Sequence, residues 1–387
     1  MTLHGLDRKS RFDEIASHDL VLTTYRLLVR DHANLHAQHW HVVVLDEAQI
    51  IKNPDATTTQ LVFELEARHR LCLTGTPLEN HLGEVWSLFA LLSPGFLGDR
   101  QSFKRQWRTP IEKRGDSDRR RLLARRIRPF LLRRTKTEVA AELPPKTEIV
   151  ESIEMDPVQR DIYESIRLSM HSKVRAAIAA KGLARSRIVM LDALLKLRQA
   201  CCDPRLLKLK GVSPSRAHSA KLDRLMEILP ELLDEGRRVL LFSQFTSMLA
   251  LIEEALRAAA IRHVLLTGDT RDRETPIRRF QGGEVPLFLI SLKAGGLGLN
   301  LTAADTVIHY DPWWNPAVED QATDRAHRLG QDKPVFVHKL VMLASIEEKI
   351  ELLKIRKRDL ASSIFNPDVG SALDLTEADI DDLFTLA

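Results

Sequence analysis

Two adjacent carboxylates, Asp46 and Glu47, close a short apolar run from Val42 to Leu45. Such a run predicts a buried strand, so both side chains would stand at its carboxyl end. In nucleotide-hydrolysing sites, the first carboxylate of such a pair holds Mg²⁺, usually through water, and the second polarises the attacking water. The alternative is a strand that leaves the core through two polar residues, and the pair alone does not exclude it.

The loop that normally wraps the phosphates in such sites is missing from the pattern. It is a Gly-rich turn ending in Gly-Lys-Ser/Thr, because backbone N–H groups and one Lys must contact the phosphates. None of the 17 glycines in the chain is followed by Lys. Only 45 residues precede Asp46, which leaves little room for another strand, loop and helix. The sequence therefore predicts one part of a nucleotide site.

A second group of small polar residues follows the next apolar run. Leu71 to Leu73 predicts a short strand that leads directly into Thr74, Gly75 and Thr76. Parallel strands open their carboxyl ends at the same edge of a sheet, where ligands bind. We therefore expect these residues to lie beside the carboxylate pair.

Two arginines and an amide recur in the segment 319–331. Gln321, Arg325 and Arg328 stand at i, i+4 and i+7, which predicts one face of a helix. Guanidinium groups suit a γ-phosphate, because Arg is permanently charged and forks onto phosphate oxygens. The alternative is a surface helix in which Asp320 and Asp324 each pair with an arginine.

A glycine-rich turn, residues 291–300, follows a predicted strand. It contains Gly296 and Gly298, and glycine allows the backbone to approach a ligand closely. In isolation such a turn is weak evidence for a site.

The composition indicates a globular protein of two or three domains. Residues 100–136 hold fifteen Lys and Arg against three acids, which favours either a polyanion partner or a solvated helical face. The three cysteines show no metal-ligand spacing and predict free thiols in a reducing compartment. No secretory signal or membrane-spanning run is evident. We expect a protein that is not secreted and has no membrane partner, located in the cytoplasm near the nucleoid or in the nucleus.

Strand-like and helix-like segments alternate in two parts of the chain, which predicts the α/β class with parallel sheets. In the first part the predicted strands cover residues 20–24, 41–46 and 70–74. In the second part they cover residues 239–242, 263–266, 286–291, 305–310 and 335–341. Between these parts, helices are predicted at 158–180 and 184–200. In the latter, helical spacing favours core packing for Ile188, Leu191, Leu194 and Leu195.

Read in order, these blocks resemble the Swi/Snf-type chromatin-remodelling ATPases of helicase superfamily two. The resemblance covers roughly residues 15–365 by this motif comparison. Trp314-Asn315-Pro316, which leads into Asp-Arg-Ala-His-Arg-Leu-Gly-Gln, is the most specific part. The other matching segments are Asp19–Tyr25, Asp46–Gln49, Leu73–Asn80, Phe130–Thr135, Val239–Phe245, Leu266–Arg273 and Ser291–Leu301.

The resemblance implies two RecA-like lobes that bind ATP with Mg²⁺ in a cleft and duplex DNA across both lobes. By analogy, Asp46 would hold Mg²⁺ and Glu47 would polarise the attacking water. Gln321, Arg325 and Arg328 would be catalytic, the two arginines acting as arginine fingers. Coupling of nucleotide state to DNA grip is implied for Thr74, Gly75, Thr76, Gly296 and Gly298. Contacts to DNA, mostly to its phosphate backbone, are implied for Thr23, Thr24, Gln244, Thr267, Gly268, Lys293, Ala294 and Trp314.

The domain limits expected from this resemblance leave lobe one without its leading strands. Lobe one would end at residue 95, and a mostly helical, basic insertion would span 96–215. Lobe two would span 216–344, followed by a bracing helix and an acidic tail at 345–387. The adenine-recognition segment and the Gly-Lys-Thr loop of the family would lie upstream of the stretch present here.

Three hypotheses follow for the function. The first is a DNA-dependent ATPase and duplex-DNA translocase present as a partial engine, with a further protein complex as a possible partner. The second is a remnant that binds DNA or partners without hydrolysing ATP. The third is a strand-separating helicase. It is disfavoured because such helicases carry an arginine motif of the form Gly-Arg-x-x-Arg, whereas this chain has Arg-Ala-His-Arg-Leu-Gly-Gln. Without the phosphate loop, we expect the isolated chain to hydrolyse ATP negligibly.

Overall fold

A computed structural model describes residues 1–5, 7–75, 81–134, 136–140, 142–182, 185–207, 218–295, 298–352 and 354. Within these ranges the chain divides between Leu131 and Leu132 into two compact units. Each unit contains a parallel sheet with helices, so the predicted α/β class is confirmed.

The sheet of the first unit pairs β1 (Trp40–Leu45) with β2 (Ala67–Cys72) in parallel, with Leu45 opposite Cys72. The strand predicted at residues 20–24 is wrong, because only Leu22 pairs there, in an isolated bridge with Thr2. The physical reason is local: Thr24 is already the N-cap of the next helix, so the chain turns before a strand can extend.

Helices cover this sheet and continue beyond it. They are α1 (Tyr25–His36), α2 (Thr57–Phe63) and α3 (Gly83–Leu92), with 3-10 turns at Asp7–Ser17 and Ala48–Ile51. Their apolar faces form one core. Its most buried members include Leu3, Leu35, Ala48, Ile51 and Val62.

The basic segment folds around a small core of its own. It contains α4 (Arg100–Phe103), a π-helical turn (Lys104–Arg108), α5 (Thr109–Arg114) and α6 (Ser117–Ile127), and a 3-10 turn (Arg128–Phe130) follows. That core includes Phe89, Phe103, Trp107, Ile111, Leu123 and Ile127. Several of its arginines are paired within the unit, as in the ion pairs Arg100–Asp55 and Arg108–Glu112.

The second unit is built on a parallel sheet in the strand order β3-β8-β7-β4-β6-β5. Its strands are β3 (Lys146–Ile153), β4 (Val239–Ser243), β5 (His263–Leu266), β6 (Leu287–Ser291), β7 (Thr306–His309) and β8 (Val335–Met342). Strand β3 was not predicted, since it lies in a stretch expected to be helix and linker. Its polar residues Glu148 and Glu151 obscure the apolar pattern of a strand, and β8 supplies partners to both, Lys339 and His338.

Helices cover both faces of this sheet. They are α7 (Lys136–Val139), α8 (Pro157–Lys181), α9 (Arg187–Cys202), α10 (Ala220–Asp234), α11 (Thr246–Ala258), α12 (Glu274–Gln281), α13 (Leu292–Gly295) and α14 (Pro316–Thr323), with a 3-10 turn at Pro204–Leu207. Residues 346–352 are also helical. Leu241 and Leu289 pack into the core on one face, and Phe242 and Ile290 into the core on the other.

Helix α9 corrects one expectation about packing. Leu194 is buried, but Ile188, Leu191 and Leu195 are exposed, with 81%, 65% and 43% of their surface accessible. The helix carries a second apolar stripe, which shares Leu194 with the predicted one and faces the core. Its members are Met190, Ala193, Leu194, Leu197, Ala200 and Cys201.

Candidate functional site

The first unit brings the carboxylate pair and the threonine turn together. Because β1 and β2 are adjacent and parallel, Asp46 and Thr74 follow them at the same edge of the sheet. The backbone fixes this approach, since Leu73 N–H donates to Leu45 O (2.8 Å) and Ala48 N–H donates to Leu73 O (2.9 Å). Thr76 of the same turn lies outside the described residues.

Gln49 connects the two groups directly. Its Nε2 donates a hydrogen bond to Glu47 Oε2 (2.6 Å), and its Oε1 accepts one from Thr74 Oγ1 (2.7 Å). A single amide therefore forms a hydrogen-bonded bridge between the carboxylate of Glu47 and the threonine turn. The sequence contained this residue in the Asp-Glu-Ala-Gln block, but nothing in its spacing assigned it the bridging role.

Glu47 adopts a left-handed backbone conformation, with φ 48° and ψ 49°. For a residue with a Cβ this region is unfavourable, and such strain concentrates at functional positions. Its backbone N–H donates to Asp46 Oδ1 (2.9 Å). The turn is also supported from α1, where the Tyr25 hydroxyl donates to Asp46 O (2.8 Å). Burial, with the neighbouring acidic groups, raises the pKa of Tyr25, so it remains a donor.

The donors at this turn fit Mg²⁺. Asp46 is exposed and Glu47 half-buried, so hard carboxylate oxygens are accessible at the sheet edge. Magnesium is commonly held by one or two carboxylates, with water and substrate phosphate completing its octahedron. In the described part of the chain, no group of three or more His, Cys, Asp or Glu side chains forms a fuller metal cage.

Thr23 and Thr24 lie exposed at the start of α1. The Thr24 hydroxyl caps this helix by accepting a hydrogen bond from Leu27 N–H (3.3 Å), and Thr23 Oγ1 is 3.5 Å from Leu3 O. Both side chains are therefore held at the surface by local hydrogen bonds.

The second unit collects another set of predicted residues at one sheet edge. Strands β7, β4, β6 and β5 are consecutive neighbours and parallel, so their carboxyl ends lie side by side. The predicted residues that follow these ends are Trp314 after β7, Gln244 after β4, Lys293 and Ala294 after β6, and Thr267 and Gly268 after β5.

Each of these strand ends has a defined local structure. Thr267 N–H donates to Thr270 Oγ1 (2.9 Å), which closes a turn that leaves Gly268 exposed. Ala294 is buried in α13, so its side chain faces the core. For Lys293 the structure describes the backbone within α13 and not the side chain. Gln244 and Trp314 are half-buried.

The helical face predicted for Gln321, Arg325 and Arg328 is wrong. Helix α14 ends at Thr323, so Gln321 lies on the helix and the two arginines lie in the turns that follow. After Thr323 the helical hydrogen-bond pattern is lost, since Arg325 N–H donates to Ala322 O (3.2 Å) and Ala326 N–H to Thr323 O (3.0 Å), and Arg325 O accepts from Leu301 N–H (3.0 Å). Arg325 is 6% exposed and Arg328 half-buried.

Gln331 holds these turns in place, a role that the sequence did not reveal. Its Nε2 lies within 3.1 Å of three backbone carbonyl oxygens, those of Thr302, Ala304 and Ala326. Its Oε1 accepts from Lys333 N–H (3.0 Å). The buried amide therefore ties the arginine-bearing turns to the loop before β7.

A second anchor comes from the segment before β3. Lys136 Nζ donates to His327 O (2.7 Å) and forms an ion pair with Asp324, while His327 Nε2 is 2.8 Å from Pro144 O. Gly298, the described glycine of the predicted coupling turn, has φ +66°, a conformation that favours glycine. Gly296 lies outside the described residues.

No helix in the described residues is long and apolar enough to cross a membrane.

Comparisons with known proteins identify the family of this chain. The SNF2-related domain family matches residues 2–206, and the helicase conserved C-terminal domain matches residues 220–330. The SWI2/SNF2 ATPase core domain of Sulfolobus solfataricus is 36% identical, with a TM-score of 0.50, over 97% of this chain and 76% of that one.

Two curated relatives extend the similarity to bacteria and eukaryotes. YwqA of Bacillus subtilis, described as an ATP-dependent helicase/translocase, is 38% identical over 100% of this chain and 42% of its own length. The ISWI chromatin-remodeling complex ATPase ISW1 of Saccharomyces cerevisiae is 35% identical over 86% of this chain and 30% of its own length. The chain thus spans less than half the length of these relatives. It belongs to the SNF2-related family of superfamily-two helicase-like ATPases.

Proposed function

We propose that this chain is the DNA-engaging part, with part of the nucleotide-hydrolysing machinery, of an ATP-driven duplex-DNA translocase. The observation that carries the proposal is the position of four polar or aromatic residues, each in the segment that follows the carboxyl end of one of four neighbouring parallel strands. They are Gln244, Thr267, Lys293 and Trp314. The carboxyl edge of a parallel sheet is where such folds bind ligands. The names of the relatives support the same activity, since they include a helicase/translocase and a remodelling ATPase.

In the first unit, Asp46 would hold the Mg²⁺ that accompanies ATP, which lowers the cost of the developing phosphate charge. Glu47 would orient the attacking water. The link from Glu47 through Gln49 to Thr74 supports a coupling role for the Thr74–Thr76 turn, because a shift of the carboxylate must move or break both hydrogen bonds.

In the second unit, Gln321, Arg325 and Arg328 would act on the transferred phosphate. Arginine suits this role because it is permanently charged and donates in a fixed fork. The anchoring of their turns by Gln331 and Lys136 supports it, since a phosphate-stabilising arginine requires a fixed backbone. Gly296 and Gly298 would couple this chemistry to the DNA contacts.

The DNA contacts would be directed mainly to phosphates, with little sequence selectivity. Hydroxyl, amide and ammonium groups at loop ends are typical phosphate ligands. Thr23 and Thr24 of the first unit, exposed at the start of α1, would contribute to the same interaction. The basic segment 100–136 would add non-specific attraction.

ATP hydrolysis by these 387 residues alone would be negligible, because they contain no Gly-Lys-Ser/Thr loop to cradle the phosphates. A non-hydrolysing DNA-binding protein of the same fold is the alternative function. Steady-state ATP hydrolysis, measured with and without duplex DNA, tests the first of these statements. Robust DNA-stimulated turnover by the 387 residues would overturn the first one.

The DNA interaction is tested by fluorescence anisotropy with a short labelled duplex over a range of salt concentrations. We expect log Kd to vary linearly with log salt, and Lys293→Ala to reduce the slope by about one phosphate contact. Lys333→Ala is the matched control, because Lys333 is exposed and precedes β8 at the opposite edge of the same sheet. Binding that is independent of salt, or equal effects of both variants, would contradict the proposed interface.

A further inference from the structure

Arg198 is a buried cation that connects three separate parts of the second unit. It lies near the end of α9 and is 2% exposed. Its Nη1 donates to Gln244 Oε1 (2.9 Å), in the loop after β4. Its Nη2 donates to Pro312 O (2.5 Å) and lies 3.4 Å from Asp311 Oδ2, in the loop after β7.

Aromatic rings surround the same guanidinium. Its central carbon lies 5.3 Å from the ring centroid of Trp313, 5.8 Å from that of Trp314 and 5.7 Å from that of Phe245. These distances fall within the range of cation–π attraction, which is stronger in a desolvated site. The ring of Trp314 therefore contacts the same cation that binds Gln244.

The negative charge that balances Arg198 is also part of the strand-end loops. Asp311 is fully buried, accepts a hydrogen bond from Ser243 Oγ (2.5 Å) and lies 3.3 Å from Gln244 N. Burying a charge pair is costly unless its geometry and remaining hydrogen bonds are satisfied. An apolar side chain of similar volume would fill the same space without this cost. The guanidinium is therefore expected to have a role other than packing.

The role that the contacts indicate is to orient the side chain of Gln244. Arginine has only donors, so the amide must present its oxygen to Arg198 and direct its N–H₂ group elsewhere. Gln244 Nε2 is itself buried, and it has no hydrogen-bond partner in the described part of the chain. A lysine in place of Arg198 would supply one point charge, without the fork or the planar stacking surface.

We propose that Arg198 is a positioning residue for duplex-DNA binding, which holds the half-buried Gln244 side chain and the Trp313–Trp314 turn at the carboxyl edge of the sheet, where the phosphate backbone would lie. The inference rests on the proposed function, because it assumes that Gln244 and Trp314 face DNA. Arg198 itself is enclosed and does not touch the nucleic acid. Its effect on binding therefore passes through the two residues that it holds.

The experiment is a double-mutant cycle on duplex-DNA affinity with Arg198→Lys and Gln244→Ala. We expect each single variant to weaken binding about 5- to 10-fold, and the loss in the double variant to be smaller than the product of the two single losses. Such non-additivity identifies residues that act as one unit. Losses that multiply in the double variant, or wild-type affinity in Arg198→Lys, would overturn the inference.

The salt dependence separates positioning from direct contact. A residue that neutralises a phosphate contributes about 0.9 to the slope of log Kd against log salt. Arg198→Met, which removes the charge, should therefore leave the slope of the wild type unchanged, whereas Lys293→Ala should lower it. A reduced slope in Arg198→Met would mean that Arg198 contacts DNA itself.

A control addresses general destabilisation. Arg167→Lys changes another buried arginine of the same unit, on α8 and ion-paired with Glu164 at 2.7 Å. Urea unfolding is measured for both variants, and only Arg198→Lys should weaken DNA binding at temperatures where both remain folded. Equal losses of affinity in the two would make Arg198 merely structural. If the wild type does not bind duplex DNA at all, the proposed function fails and the inference fails with it.

Discussion

Thr74 Oγ1 donates a 2.7 Å hydrogen bond to Gln49 Oε1, across the gap between two adjacent strand ends. The same Gln49 amide donates to Glu47 Oε2 at 2.6 Å. The catalytic candidate and the coupling candidate of the first unit are therefore one side chain apart. The Gln49 amide therefore contacts both residues, with one hydrogen bond to each.

Gln49→Met should loosen this turn. The substitution keeps the length of the side chain and removes both hydrogen bonds, one of them to a carboxylate, so we expect a loss of about 1–3 kcal/mol in local stability. Hydrogen exchange followed by mass spectrometry across residues 45–51 measures it. Thr74→Val removes one of the same bonds, so the double variant should lose less than the sum. Additive losses would show that the bridge does not act as a unit.

Glu47→Gly should be more stable than Glu47→Ala. The left-handed conformation at φ 48° costs a residue with a Cβ about 1–2 kcal/mol, and glycine avoids this cost. Both variants lose the carboxylate equally, so their difference in free energy of unfolding isolates the backbone term. Urea denaturation of the two proteins measures it. Equal stabilities would mean that Glu47 is not strained in the folded chain.

Lys221 and Glu347 form a fully buried ion pair, with Lys221 Nζ 2.6 Å from Glu347 Oε2. Lys221→Met alone should reduce the free energy of unfolding by about 3–5 kcal/mol, because an unpaired carboxylate remains in the core. Lys221→Met combined with Glu347→Leu should cost less than this single change. Urea denaturation checks both, with Lys173→Met, an exposed lysine on α8, as the control. A double variant less stable than Lys221→Met would contradict the explanation.

Gln331→Leu should release the turns that carry Arg325 and Arg328. Three carbonyl oxygens lose their shared donor, and each buried unsatisfied group costs about 1–3 kcal/mol. We expect faster hydrogen exchange in residues 324–331, with β4 and β6 unaffected. Gln331→Glu should be at least as disruptive, because its carboxylate would face the same oxygens. Unchanged exchange in these turns would show that the neighbouring contacts suffice.

The junction of β3 and β8 should weaken in acid. Burial raises the pKa of Glu148, but hydrogen bonds and charges from Lys339 and Lys146 outweigh it and lower the pKa from 4.5 to about 2. A depressed carboxyl pKa contributes stability above pH 4.5 that is lost as the pH falls towards 2. Glu148→Gln should lower stability at neutral pH by about 1 kcal/mol and flatten this dependence. Thermal unfolding of both proteins between pH 2 and 7 measures it, and parallel curves would exclude Glu148 as the cause.

Strand ends were predictable because their signals are local. The apolar runs before Asp46, Thr74, Gln244 and Thr267 mark parallel strands by composition alone. The burial predicted for the first two runs is wrong in this structure, since Val42, Val44 and Leu71 are exposed. A residue that follows such a run must emerge at the carboxyl edge, whatever the rest of the fold. The order of these blocks was also sufficient to identify the family, which the matches over residues 2–206 and 220–330 confirm.

Where the partner of a strand or side chain is distant in sequence, only the tertiary structure decided which contact forms. Strand β3 depends on β8, almost 190 residues later, and Glu148 looks like a surface residue until Lys339 lies beside it. The helix after Asn315 stops at Thr323, and the turns that follow are joined to the distant Leu301 through the carbonyl of Arg325.

Arg198 shows the same limit within the candidate site. Nothing in its helix predicts that its guanidinium meets Gln244, 46 positions away, or Asp311, 113 positions away. The sequence by itself determined which residues reach the sheet edges, since strand direction follows from local pattern. The tertiary structure decided which side chains hold them there, because hydrogen bonds and cation–π contacts depend on distances that only the folded chain defines.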